Sequence, residues 1–137
     1  MRVAPRIVEF VREAVGGHDR PQLAELLRRL ADRCRRDGLE PPSRATFYKL
    51  LATLPTPTYR VAELPDSVQR ALYNLAAESD VQGHQVAFYC FNYGDLAAMS
   101  FAAGLPWLAL YQALRLPGYR GRSRGLLEAA ARARGIR

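Results

Sequence analysis

Apolar side chains recur along the first third of the chain at helical spacing. Between residues 6 and 15, Ile7, Phe10, Val11 and Ala14 form one stripe, and Gly16 and Gly17 close the segment. Asp19 is placed to cap a second helix, which tolerates Pro21 in its first turn and runs to about Asp37. There Leu23, Leu26, Leu27, Leu30 and Cys34 repeat at i, i+3, i+4 and i+7. The opposite face carries Glu25, Arg28, Arg29, Asp32, Arg33, Arg35 and Arg36. Glu25–Arg29 and Asp32–Arg36 are spaced for surface ion pairs worth roughly 0.2–0.5 kcal/mol each. Gly38, Pro41 and Pro42 then interrupt, and residues 43–54 (SRATFYKLLATL) predict a third helix. Ser43 is a good N-cap, because its hydroxyl can take an unpaired N–H of the first turn. Phe47, Leu50, Leu51 and Leu54 share one face, and Pro55 ends the helix because proline lacks the N–H and crowds the preceding turn.

The pattern changes after Pro55-Thr56-Pro57, a stiff link. Residues 58–64 alternate weakly and predict a short strand. A helix over 66–78 follows, with Val68, Ala71, Leu72 and Leu75 inward. Residues 86–93 (VAFYCFNY) are aromatic, β-branched at the start and bounded by glycines, which predicts a second strand. Two such strands make a minimal sheet. Asp95 caps a helix over 96–103, Gly104 allows a tight turn, and Pro106 opens another helix. Ser100 is the small residue a steep two-helix turn requires, and Met99, Ala103, Leu105, Leu110 and Ala113 fill its apolar places. This leaves Trp107, Leu108, Tyr111, Gln112 and Arg115 on the exposed side. Residues 117–125 alternate arginine with small residues and predict a flexible loop, before a last helix over 126–134 with Leu126, Leu127, Ala130 and Ala131 inward. The expected fold is mainly α with a small β element: helix-turn-helix units around a strand–helix–strand middle. The expected parts are 1–57, 58–93 and 94–137, within one compact domain.

Charge sharpens this picture. The 137 residues carry a net charge of +7, unevenly spread. Residues 1–60 hold twelve Arg and Lys against seven Asp and Glu; residues 61–112 hold one against five; residues 113–137 hold seven against one. Two basic ends thus flank an acidic, aromatic middle, and basic regions attract polyanions, nucleic acid above all. Nineteen of the twenty cations are arginine, so the bias of a GC-rich genome is an equally good account of the charge alone. Aromatics on a strand over 86–93 could stack bases, but the segment holds no Arg or Lys, which favours core packing or a subunit interface.

Other classes find little support. No apolar run of about 18 residues suggests a membrane helix, and the N-terminus lacks a signal-peptide apolar block, so the expected location is cytoplasmic. Cys34 and Cys90 have no metal-type spacing and are expected to be buried free thiols. His18 and His84 have no Ser, Cys or carboxylate at a diagnostic spacing, and no GxxxxGK loop occurs. No catalytic residue, metal site or cofactor is therefore expected, and the chain is not read as an enzyme.

On the third helix, Arg44, Ala45, Tyr48 and Ala52 share the face away from Phe47 and Leu51, with Lys49 beside them. The order Ser43-Arg44-x-Thr46-apolar-Tyr48-Lys49-x-Leu51 resembles the recognition helix of helix-turn-helix domains in resolvases, DNA invertases and some transposases. The turn before it, residues 38–42, is longer than the short glycine-containing turn of that family. No resolvase catalytic domain is visible. The resemblance implies sequence-specific binding of double-stranded DNA, as by a bacterial, phage or mobile-element transcription regulator. Ser43, Arg44 and Tyr48 are the expected base-contact residues, since bidentate Arg–guanine pairing is the commonest specific contact. Arg36, Lys49, Arg120, Arg122 and Arg124 are the expected phosphate contacts. A homodimer on an inverted repeat is the expected arrangement, with Phe88, Phe91, Trp107 and Tyr111 as its interface. Trp107, Tyr111 and the aromatics of residues 86–93 would anchor a protein partner in the alternative reading, an antitoxin-like or adaptor module with incidental DNA binding.

Overall fold

The three stripes of the N-terminal third become three helices in the computed structural model, which describes residues 3–16 and 21–136. They are α1 (Pro5–Gly16), α2 (Leu23–Arg36) and α3 (Arg44–Thr53). With the segments between them they make up the first of two compact units, Met1–Leu54. α1 lies against α2. Ile7, Val11 and Val15 are buried on the one and Leu26, Leu30 and Cys34 on the other; Val15 joins the predicted stripe, while Phe10, Ala14, Leu23 and Leu27 are half-buried at its edges. Asp37 draws Arg6 to 3.6 Å and Arg33 to 3.8 Å, and Arg33 lies 5.5 Å from the Phe10 ring centroid. The surface ion pairs of α2 form one residue shorter than expected, Glu25 with Arg28 and Asp32 with Arg35. The cap expected from Asp19 lies outside the described residues, as does His18.

The long turn has a definite architecture. Leu39 N donates to Cys34 O at 2.8 Å and Gly38 N to Arg35 O at 3.3 Å, with Gly38 at φ +70°. These two bonds satisfy carbonyls at the end of α2 and need a left-handed residue between them. Gly38 therefore serves as the turn glycine, and Pro41 and Pro42 lead into the next cap. Nothing lies within 4 Å of a Cβ built on Gly38, so backbone strain alone opposes substitution. Gly38→Ala should destabilise the first unit by about 1 kcal/mol, read from its denaturant midpoint.

The second unit is Pro55–Arg137. β1 (Thr58–Arg60) pairs antiparallel with β2 (Asp80–Gln82), Tyr59 opposite Val81. The strand expected to reach 64 stops at 60 and gives way to a 3-10 turn, Val61–Glu63. The helix expected over 66–78 is only α4 (Asp66–Ala71). Val61 N donates to Ser79 O and Ala62 N to Ala77 O, so residues 77–79 leave helical geometry to extend the pairing of the sheet.

The largest departure is α5 (Gly83–Tyr93), a helix where a strand over 86–93 was expected. Val86, Ala87, Cys90 and Phe91 are buried at helical spacing. Gln82 and Gln85 form a reciprocal capping box that starts the helix. α5 packs against α4, α6, α7 and α8, so a short apolar run is covered on several sides. Residues 58–93 and 94–137 accordingly share one core within this unit. Gly94 permits the joint to α6 (Leu96–Ala103): a Cβ there would lie 2.5 Å from Cys90 O and 2.6 Å from Ala98 Cβ. Asp95 caps α6 as predicted, accepting from Ala98 N at 2.9 Å. That bond, with Arg70 beside it, holds the Asp95 carboxyl below its ordinary range.

α6 and α7 (Trp107–Ala113) meet at 117°. Every residue of α7 is buried. The expected exposure of Trp107, Leu108, Tyr111 and Gln112 is thus reversed, and Arg115, just beyond the helix, is the exposed one. α8 (Gly121–Ala133) begins five residues earlier than expected and takes up most of the supposed arginine loop. Among the described residues, the fold is mainly α with one small two-stranded sheet. No single helix there is long and apolar enough to cross a membrane. Cys34 and Cys90 are buried free thiols, and burial pushes Cys90 up to about 12.

Candidate nucleic-acid interface

α3 is fixed at its start by Ser43, whose Oγ accepts from Thr46 N at 3.1 Å and donates to Thr46 Oγ1 at 3.0 Å. Thr46, Phe47, Leu51 and Leu54 are buried. Arg44, Ala45 and Lys49 are exposed, while Tyr48 and Ala52 are half-buried. Arg44 and Tyr48 stand one turn apart. The guanidinium lies 5.7 Å from the phenol ring centroid, and Arg44 Nη2 reaches Tyr48 Oη at 3.5 Å. Neither Arg44 nor Lys49 has a carboxylate partner among the described residues. The hydroxyl of Ser43 is committed to capping, with one lone pair left over for a ligand. On α2, Arg36 sits in the last turn, where a cation is favoured, and has no ion-pair partner among the described residues.

The second unit carries the other basic cluster. Arg122 and Arg124 lie in the first turn of α8 and Arg120 is its N-cap, so all three occupy a helix start rather than a flexible loop. Asn92, itself buried, holds this segment: Arg120 N donates to Asn92 Oδ1 at 2.9 Å, and Asn92 Nδ2 donates to Gly118 O at 3.3 Å. Gly118 has φ +96°, and a Cβ there would meet Phe88 Cζ at 3.5 Å. Arg124 pairs with Glu128 at 3.7 Å. Arg120 and Arg122 have no carboxylate partner among the described residues. The first turn of α8 has no acid and no side-chain cap, so these cations stand at the positive end of the helix dipole, where an anion would be welcome.

The expected interface aromatics are placed differently. Phe91, Trp107 and Tyr111 are 5%, 2% and 7% exposed, so they are core, not docking anchors. Trp107 and Tyr111 stack on each other at 5.1 Å. Phe88 is half-buried against Tyr119, 4.8 Å between ring centroids. The aromatic residues most open to solvent are Tyr73, which lies outside every predicted site, and Tyr93, the last of the aromatics in 86–93. Their signal was available: Tyr89 and Tyr93 are four residues apart, a same-face spacing once 86–93 is read as helical.

No group of three or more His, Cys, Asp or Glu that could hold a metal ion occurs among the described residues. His84 is half-buried with Nδ1 unpaired, and burial lowers its pKa, which favours the neutral ring. Comparison with protein families, curated proteins and solved structures finds no match for this chain.

Proposed function

We propose that the protein binds double-stranded DNA sequence-specifically through α3, as a transcription regulator of bacterial, phage or mobile-element origin. The observation that carries this reading is the division of α3. One side is anchored by Phe47 and Leu51, and the other offers Arg44, Ala45 and Lys49 with no competing carboxylate among the described residues. A small residue beside two cations lets a helix approach a major groove closely. The left-handed Gly38 supports the reading, because it supplies the glycine that a helix-turn-helix turn uses. Arg44 takes the base-reading role, with Tyr48 stacked beneath it. Lys49 and Arg36 take phosphates, and so does Arg122 in the second unit.

The protein-interaction alternative loses part of its support, because Phe91, Trp107 and Tyr111 lie in the core, while Phe88 and Tyr89 are half-buried and Tyr93 is exposed. A homodimer on an inverted repeat fits half-site recognition, but its contacts must come from residues other than Phe91, Trp107 and Tyr111.

The test is selection of binding sites from random DNA by the full-length protein, repeated at two salt concentrations. A defined motif is expected. Arg44→Ala should then cost about 1–3 kcal/mol on that motif and relax its preference. Arg122→Ala should weaken all sequences alike and flatten the salt slope. Recovery of bulk DNA only, or an Arg44→Ala variant that discriminates like the parent, would sink the assignment of α3.

A further inference from the structure

The surface aromatics of the second unit form a continuous row. Tyr73, just beyond α4, meets Tyr93 edge to face at 5.4 Å between ring centroids. Tyr93 lies 5.9 Å from Tyr89, Tyr89 5.6 Å from Phe88, and Phe88 4.8 Å from Tyr119. The Arg120 guanidinium sits 4.5 Å from the Tyr93 ring centroid. Core packing accounts for the Phe88 end of this row. It does not account for Tyr73, which is 66% exposed, or for Tyr93, which is 37% exposed.

We infer that this row and Arg120 form a binding face for single-stranded nucleic acid. Unpaired bases present free π faces, which stack on aromatic rings and on guanidinium planes. Bases within a duplex are stacked on one another and offer none. Tyr73 and the Arg120 plane supply the stacking surfaces, and Arg120 also supplies charge toward the strand's phosphates. Arg70 lies 3.3 Å from Asp95 and is neutralised there, so the positive charge of the face concentrates at the start of α8. That charge argues for a polyanion over an apolar peptide. It also argues against a second copy of the chain packed face to face, which would oppose like charges. The inference rests on the second unit alone and concerns a different form of nucleic acid from that assigned to α3.

The test uses the full-length protein, a fluorescein-labelled oligothymidylate of about twelve nucleotides and the duplex motif selected for α3, read by anisotropy. Tyr73→Ala should weaken strand binding roughly 5- to 150-fold and leave duplex binding unchanged. Tyr73→Phe should restore the strand affinity, since the ring is kept. Arg120→Lys should bind the strand more weakly than the parent, because the charge is kept but the plane is lost. Arg44→Ala should leave the strand affinity untouched, so failure of either site is seen separately. The inference is overturned if the parent does not bind the strand, or if Tyr73→Ala binds it as the parent does. Equal loss of strand and duplex would overturn it too, as would an effect of Tyr73→Ala confined to self-association in sedimentation. Because Tyr73 is exposed, circular dichroism of the variants should match the parent.

Discussion

Trp107→Ala should destabilise the second unit by about 3–5 kcal/mol, the range for removing a large aromatic from a packed core. Trp107 is among the largest fully buried side chains, and its ring stacks on Tyr111 with an interplanar angle of 18°. It opens α7, a helix buried along its whole length, so the space it leaves has no solvent edge through which to collapse. Folded domains are stable by only about 5–15 kcal/mol, so the loss is a large share of the total. In a domain of this size each kcal/mol moves the melting temperature by roughly 4–8 °C. Thermal unfolding followed by far-ultraviolet circular dichroism is the measurement, because the substitution removes the chain's only tryptophan. Trp107→Phe should lose much less, as it keeps an aromatic ring on Tyr111. A Trp107→Ala variant melting close to the parent would restore the exposed placement that the helix-turn-helix template gave α7.

Phe47→Ala should cost the first unit about 3–5 kcal/mol by the same mechanism. Phe47 is fully buried and, with Leu51 and Leu54, forms the apolar face that anchors α3. Loss of helical signal at lowered denaturant is the expected result. Trp107 emission reports on the second unit, which allows the two transitions to be followed in one sample. Phe47→Leu should retain most of the stability, because a large apolar group still fills the site. DNA binding through α3 should fall with the fold in Phe47→Ala. That makes Arg44→Ala the cleaner functional probe, since Arg44 is exposed. A Phe47→Ala variant as stable as the parent would mean that α3 is held by something other than its apolar face.

Where local chemistry decides the structure, the chain was legible. Ser43 and Asp95 were readable as caps, and each accepts the backbone N–H expected of it. The stripes of α1, α2 and α3 follow from apolar spacing. α5 was not legible, because VAFYCFNY is apolar at almost every position, and such a run cannot be told from a strand by period. Only the Gln82–Gln85 capping box distinguished it, a weaker signal than a serine or threonine cap. α8 is longer than its apolar spacing predicts, because its first turn is rich in glycine and arginine. Yet Ser123, Leu127 and Ala131 lie four residues apart and are all buried, so a small polar residue had begun the stripe. α7 was read through a template that requires an exposed second helix, although WLALYQA is apolar nearly all round, the mark of a buried one. On the candidate site, Arg44 and Tyr48 stand one turn apart on α3, and Lys49 is exposed on the same helix. The row from Tyr73 to Tyr119 depends on contacts between distant segments, which no local pattern records.

The Asn92 bridge has a thermodynamic consequence for whatever binds beside it. By holding Arg120 N and Gly118 O, it orders the segment before α8 in the free protein. Fixing a residue's backbone costs about 1–2 kcal/mol, and here that cost is met during folding rather than on encounter. A ligand at Tyr73 and Arg120 therefore has mainly side chains to immobilise, at about 0.5–1.5 kcal/mol each. Affinity at such a face is set by preorganisation, and a weak stacking contact can count in full.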